Sequence, residues 1–88
     1  MKLSDEYILS DIWEGGVLVP VGEAANNFRG IICLNETALF IVKQLQKDTT
    51  PQQIIEAVFS EYEVERSEAE VQINTVLAKL RELGAIQE

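Results

Sequence analysis

Apolar residues alternate or run unbroken in the first third of this chain and recur every three or four positions in the rest. Tyr7 to Trp13 carries Ile8, Leu9, Ile12 and Trp13, and the Glu14-Gly15-Gly16 that follows has the composition of a turn. Val17-Leu18-Val19-Pro20-Val21 reads as a returning strand, so the first 22 residues are expected to form a β-hairpin. Pro20 has no N–H for a ladder, which places it on an edge or at a strand end. The small polar stretch Gly22 to Asn27 reads as a loop. Phe28 to Leu34 reads as a third strand, apolar on both faces in a chain too small to cover both, and is therefore expected to keep one face or edge for a partner.

From Asn35 the period changes from two to 3.6. Asn35 is a good N-cap, and Ala38, Ile41, Val42 and Leu45 recur at helical spacing through Lys47. Asp48-Thr49 breaks that helix. Thr50, Pro51 and Gln53 then supply an N-cap, a proline at the first helical position and a reciprocal glutamine at the third. The second helix is expected to bury Ile54, Val58, Phe59 and Tyr62. Ser67-Glu68-Ala69-Glu70 reads as another capping box, opening the longest helix with carboxylates at its positive end. Its core stripe is Ala69, Ile73, Val76, Leu77, Leu80 and Leu83, and Gly84 is the natural residue after its end, where Ala85-Ile86 can fold back. The expected fold is α+β: a three-stranded antiparallel sheet followed by three helices packed on one face, in a single domain spanning residues 1–88.

Composition narrows the function. With 15 acidic and 7 basic residues the formal charge is −8, which repels a phosphate backbone and makes nucleic acid a poor partner. There is no histidine, so the usual general base at neutral pH is missing. A catalytic carboxylate would need a cleft that so short a chain can hardly enclose, and no enzymatic activity is expected. The single cysteine, Cys33, cannot close an intrachain disulfide and leaves no material for a zinc site, so neither metal nor cofactor is expected. The acidic run from Glu61 to Glu70 lacks the glycine that a calcium loop needs at its turn. No apolar run spans a bilayer, and the N-terminus turns acidic where a signal peptide would become apolar; the expected location is the cytoplasm, away from membranes.

Several segments in order resemble the PqqD family, small domains also called RiPP recognition elements. They are Leu18-Val19-Pro20-Val21-Gly22, then Phe28-Arg29-Gly30-Ile31-Ile32-Cys33-Leu34-Asn35-Glu36-Thr37-Ala38, then Thr49-Thr50-Pro51-Gln52-Gln53-Ile54, Glu61-Tyr62-Glu63-Val64 and Leu77-Ala78-Lys79-Leu80-Arg81-Glu82-Leu83-Gly84. The resemblance covers nearly the whole chain. The family pattern often has tryptophan in the first helix, where this chain has Val42 or a neighbour. The resemblance implies a winged-helix-like unit that captures the leader segment of a ribosomally made precursor peptide. It also implies that the peptide is presented to a modifying enzyme, in the PqqD case often a radical S-adenosylmethionine protein.

That implied role has physical sense here. A leader peptide can dock antiparallel on the third strand as a fourth, taking main-chain hydrogen bonds from an empty edge, while alternate side chains enter the groove beside the last helix. The candidate site is Phe28, Arg29, Gly30, Ile31, Ile32, Cys33 and Leu34 on the strand, with Val71, Asn74, Thr75, Ala78 and Lys79 on the helix side facing away from the core stripe. Which strand face is core stays open between two readings, one of them a bulge at Gly30. Each of these residues also has an ordinary reading, as core strand or as solvent-exposed helix surface. Arg29, Lys79 and Arg81 could rim the groove with positive charge, or be solvated charges worth little each. Trp13 and Tyr7 fit packing on the first helix or the strand, and equally a homodimer contact. Two other functions compete: a winged-helix DNA-binding regulator, and a structural homodimer pairing free edges across a two-fold axis. The second helix, from Gln52 to Tyr62, carries no Lys or Arg, which argues against the regulator.

Overall fold

A computed structural model describes residues 1–12, 15–27 and 30–88. A short strand β1 (Lys2–Leu3) precedes the hairpin strands β2 (Tyr7–Ile12) and β3 (Gly15–Pro20), which pair antiparallel with Ile12 opposite Gly15. The hairpin is where the sequence places it, but Gly15 and Gly16, expected in the turn, belong to β3. Close packing explains why glycine stands there. A Cβ on Gly16 would lie 2.6 Å from Leu39 Cδ1 and 3.2 Å from the Ser10 carbonyl oxygen, and one on Gly15 would run into the Leu34 carbonyl oxygen. The packing expected of Trp13 falls outside the described residues, as does Glu14.

Residues expected in a loop form a short helix instead, α1 (Glu23–Asn27), because Glu23-Ala24-Ala25 is a helix-permissive run and Ala24 turns into the core. The third strand is also shorter than expected: β4 is Ile32–Leu34. Gly30 has φ +117°, a backbone conformation outside any ladder, so regular pairing starts only after it. Phe28 and Arg29, the expected first residues of that strand, lie outside the described residues.

The sheet order is β2-β3-β4, antiparallel throughout, with Leu18 opposite Ile32, Val17 opposite Cys33 and Gly16 opposite Leu34. Alternation along that register settles the two-faced strand. Leu34 is buried and Ile32 half-buried on the side of Tyr7 and Leu18, whereas Cys33 is exposed on the side of Ile8 and Val17.

Helix α2 (Glu36–Gln44) starts as its sequence predicts: the Asn35 side chain accepts the Ala38 N–H at 2.8 Å. In α3 (Pro51–Glu61) the Thr50 hydroxyl accepts the Gln53 N–H at 3.2 Å, but the Gln53 side chain takes the Thr49 hydroxyl at 3.1 Å instead of closing a reciprocal box. Ile54, Ile55 and Val58 are buried, while Phe59, expected inside, is 43% exposed. Phe59 is covered on one face by the Arg66 guanidinium, 5.2 Å from the ring centre, and the same Arg66 reaches Glu56 at 2.7 Å. That attachment to α3 draws α4 (Arg66–Glu82) into helix one residue before Ser67. Glu65 stands at the N-cap with no side-chain cap bond, so the expected box does not form.

At its other end α4 closes as Gly84 foretells. The Gly84 N–H binds the Arg81 carbonyl at 3.0 Å, the Ala85 N–H binds the Leu80 carbonyl at 2.8 Å, and Gly84 takes φ +70°. The returning chain forms β5 (Ile86–Gln87), which pairs antiparallel with β1 in a second, two-stranded sheet that local pattern could not announce. The core lies between the three-stranded sheet and the helices, with Leu18, Ile41, Leu45, Ile54, Ile73 and Leu77 fully enclosed. Phe40 and Tyr62 meet edge to face with centroids 5.5 Å apart, joining α2 to the end of α3. No helix among the described residues is long and apolar enough to cross a membrane. The mixed α+β architecture is the one expected, with four helices among the described residues in place of three; its likeness to a winged helix is loose, because α1 interrupts the strands and β1 pairs with β5 in a second sheet.

Tyr7 ties the sheet to α4. It is 5% exposed, and its hydroxyl donates to the Leu83 carbonyl at 2.6 Å. Burial, and secondarily the Glu6 carboxylate, push its phenol above the usual value. Gly16→Ala should destabilise the chain by about 1–3 kcal/mol in urea unfolding, because Leu39 must yield to the added methyl. Tyr7→Phe should cost about 1 kcal/mol near neutral pH. The raised phenol adds stability that is complete below its ordinary pKa of about 10 and is lost as pH rises toward the folded value. Unfolding measured from pH 9 to 11 should therefore fall less steeply in Tyr7→Phe; Tyr62, raised by burial and by Glu36 and Glu61, supplies the remaining slope.

Candidate functional site

Among the described residues, strand β4 is paired on one side. Its partner is β3, and the ladder alternation turns at least one of its three residues' N–H and C=O groups away from that partner. Beside it runs a groove of about 170 Å³, apolar almost throughout. One wall is Ile32, Cys33 and Leu34, Ala38 of α2 lies at one end, and the opposite wall is Thr75, Val76, Lys79, Leu80 and Leu83 of α4. A second depression of about 280 Å³ shares Ala38, Thr75 and Val76 with the first and continues past Asn35, Thr37, Val71 and Gln72. A third, shallower one shares Val71 and ends at Glu65, Ser67 and Glu68. The first two form one furrow between α4 and a bank made by β4 and the start of α2; the third meets it at Val71 and is open surface of α4 alone.

The furrow is open where two short side chains, Ala38 and Thr75, line both of its depressions. Ala38 and Thr75 face each other where longer side chains would close the gap. Thr75 turns its hydroxyl back to the Val71 carbonyl at 2.8 Å, leaving its methyl toward the space. Among the described residues, Lys79 is the cationic side chain in the apolar part. Arg81, expected on the same rim, points instead to Glu88 at 3.2 Å, since two residues along a helix rotate it about 200° from Lys79. Among the described residues, no three His, Cys, Asp or Glu side chains gather as a metal site would require. An aliphatic side chain can enter this furrow, and an extended backbone can bond to the β4 edge; neither operation needs a titrating group.

Of the candidate residues, Ile32, Cys33, Leu34, Val71, Thr75 and Lys79 line the furrow. Gly30 and Ile31 precede β4 and are exposed, Ile31 to 53%, without lining it. Asn74 and Ala78 are exposed on α4 and contribute to none of the three walls, because the furrow sits on the shoulder between the core stripe and the outer face, not on the outer face itself. Phe28 and Arg29 lie outside the described residues. The shoulder position also explains the residues that sequence reasoning assigned elsewhere. Val76, Leu80 and Leu83 read as core stripe and do contact the core, yet present one side to the groove. Ala38 looks like an ordinary helix residue; its small size opposite Thr75 was the available signal.

The small α+β fold that carries this furrow recurs in solved structures. One is TbiB1 in complex with the TbiA(β) leader peptide, 23% identical, with a TM-score of 0.82 over 99% of this chain and 95% of that one. Another is a lasso peptide synthetase B1 complexed with the leader peptide, 31% identical, with a TM-score of 0.77 over 99% of this chain and 96% of that one. The family described as coenzyme PQQ synthesis protein D (PqqD) matches residues 16–86, and the chain belongs to that family. No curated protein matches it.

Proposed function

We propose that this chain is a non-catalytic, cytoplasmic recognition module, one domain over residues 1–88, that captures the leader segment of a ribosomally synthesised precursor peptide and presents it to a modifying enzyme. The observation that carries this reading is the free edge of β4 lying along the apolar furrow of α4. The peptide adds as a fourth strand, antiparallel to β4; its main chain bonds to the edge and its alternate side chains drop between β4 and α4. Burial of an aliphatic side chain supplies affinity of about 1.5–3 kcal/mol, while the shape of the furrow selects which one. Both structures of the same fold hold leader peptides, which supports the assignment. The family resemblance implies a radical S-adenosylmethionine protein as the receiving enzyme, and one similar structure is named for lasso peptide synthesis; maturation of a ribosomal peptide is common to both.

A DNA-binding role finds no support in the exposed face of α3, whose charged side chains are Glu56 and Glu61. A homodimer through paired β4 edges would occupy the same edge that the peptide needs.

The test is amide-shift titration of the chain with synthetic leader segments of precursor peptides encoded beside its gene. Shifts should concentrate on residues 31–38 and 71–83. Thr75→Arg fills the furrow from an exposed, helix-compatible position; it should leave unfolding within about 0.5 kcal/mol of the parent and weaken peptide binding at least about tenfold. Shifts scattered elsewhere, or unchanged affinity in Thr75→Arg, would overturn the reading.

A further inference from the structure

The furrow is electrically polar along its length. At one end Lys79 stands in the apolar wall beside the start of β4; past the other end, beyond Val71, the open surface at the start of α4 presents Glu65 and Glu68. Among the described residues none of these three takes part in an ion pair, whereas Arg66, the cation nearest the acidic end, is bound to Glu56. Glu82 stands one turn beyond Lys79 but is rotated about 60° from it and is not in the wall. The macrodipole of α4 opposes both ends with about half a charge each, too little to reverse either sign.

Resting on the peptide-binding reading, we infer that this charge gradient selects the charge order of the bound segment: a basic side chain near its N-terminal end over Glu65 and Glu68, and a carboxylate further on over Lys79. Direction follows from the bank opposite α4, which runs from Ile32 beside Lys79 to Thr37 beside Val71. A strand antiparallel to β4 therefore begins at the glutamates and ends at the lysine. Spacing follows from the helix. Glu68 and Lys79 are separated by 11 positions of α4, about 16 Å at 1.5 Å per residue, and an extended peptide covers that in about five residues. The basic and acidic side chains are thus set about four to six residues apart, with the apolar anchor for the 170 Å³ groove just before the acidic one.

The chain's net charge of −8 attracts any basic peptide, so composition must be held constant and only order varied. Two short end-blocked peptides serve, each an alternating Thr-Leu stretch, one flanked by Lys-Lys before and Asp-Asp after, the other by the reverse. At low salt the basic-first peptide should bind the 88-residue chain at least about fivefold more tightly. The difference should vanish near 1 M salt, where screening acts within about 3 Å. The double variant Glu68→Lys with Lys79→Glu, both exposed and so compatible with folding, should prefer the acidic-first peptide. Equal affinities with shifts still on residues 31–38 and 71–83, or a preference unchanged in the double variant, would overturn the charge-order inference and leave peptide capture standing. If neither peptide shifts those residues, both readings fall together.

Discussion

The close approach at Gly15 and Gly16 governs where everything else in this fold can lie. The Leu34 carbonyl presses on the first and the Leu39 side chain on the second, so the end of β4 and the first turns of α2 are seated together on β3. Asn35 caps α2 immediately after β4, which leaves no slack between strand and helix. The end of the strand is thereby held against β3, and among the described residues β3 is its partner.

Helix α4 is positioned by contacts that are independent of β4. Arg66 fastens its first turn to Glu56 and Phe59 of α3, its inner stripe of Ala69, Ile73 and Leu77 is buried, and the Tyr7 hydroxyl holds the Leu83 carbonyl at its far end. Two banks anchored separately leave a gap between them, and Ala38 and Thr75, the short side chains common to both depressions, leave it open. An unpaired edge normally invites aggregation; here its shortness limits that hazard. Binding by such a site requires little reorganisation of the protein, so the ordering cost falls on the extended ligand.

The same arrangement separates affinity from selection. Backbone bonding at β4 is indifferent to sequence, and the apolar groove asks only for a side chain of fitting size. Charge order along the furrow is a different kind of constraint, because it discriminates between peptides of equal hydrophobicity and acts before close contact is made. The chain's acidic balance, 15 Asp and Glu against 7 Lys and Arg, gives such selection a background against which Lys79 stands out.

Local chemistry by itself determined the hairpin, the three long helices and the caps at Asn35, Thr50 and Gly84, because periodicity and capping depend on residues a few positions apart. It also marked the strand ending at Leu34 as the place to look, since a doubly apolar strand in so small a chain has one side to spare. Only the tertiary structure decided which face of that strand is core, that Gly30 shortens it, that Phe59 stays outside under Arg66, and that β1 meets β5 across nearly the full length of the chain. It alone moved the helix wall of the furrow from Asn74 and Ala78 to Val76, Leu80 and Leu83. A heptad pattern tells which stripe is apolar, but the rotation of a helix about its axis is set by long-range packing, and that rotation chooses the residues on the shoulder facing the free edge.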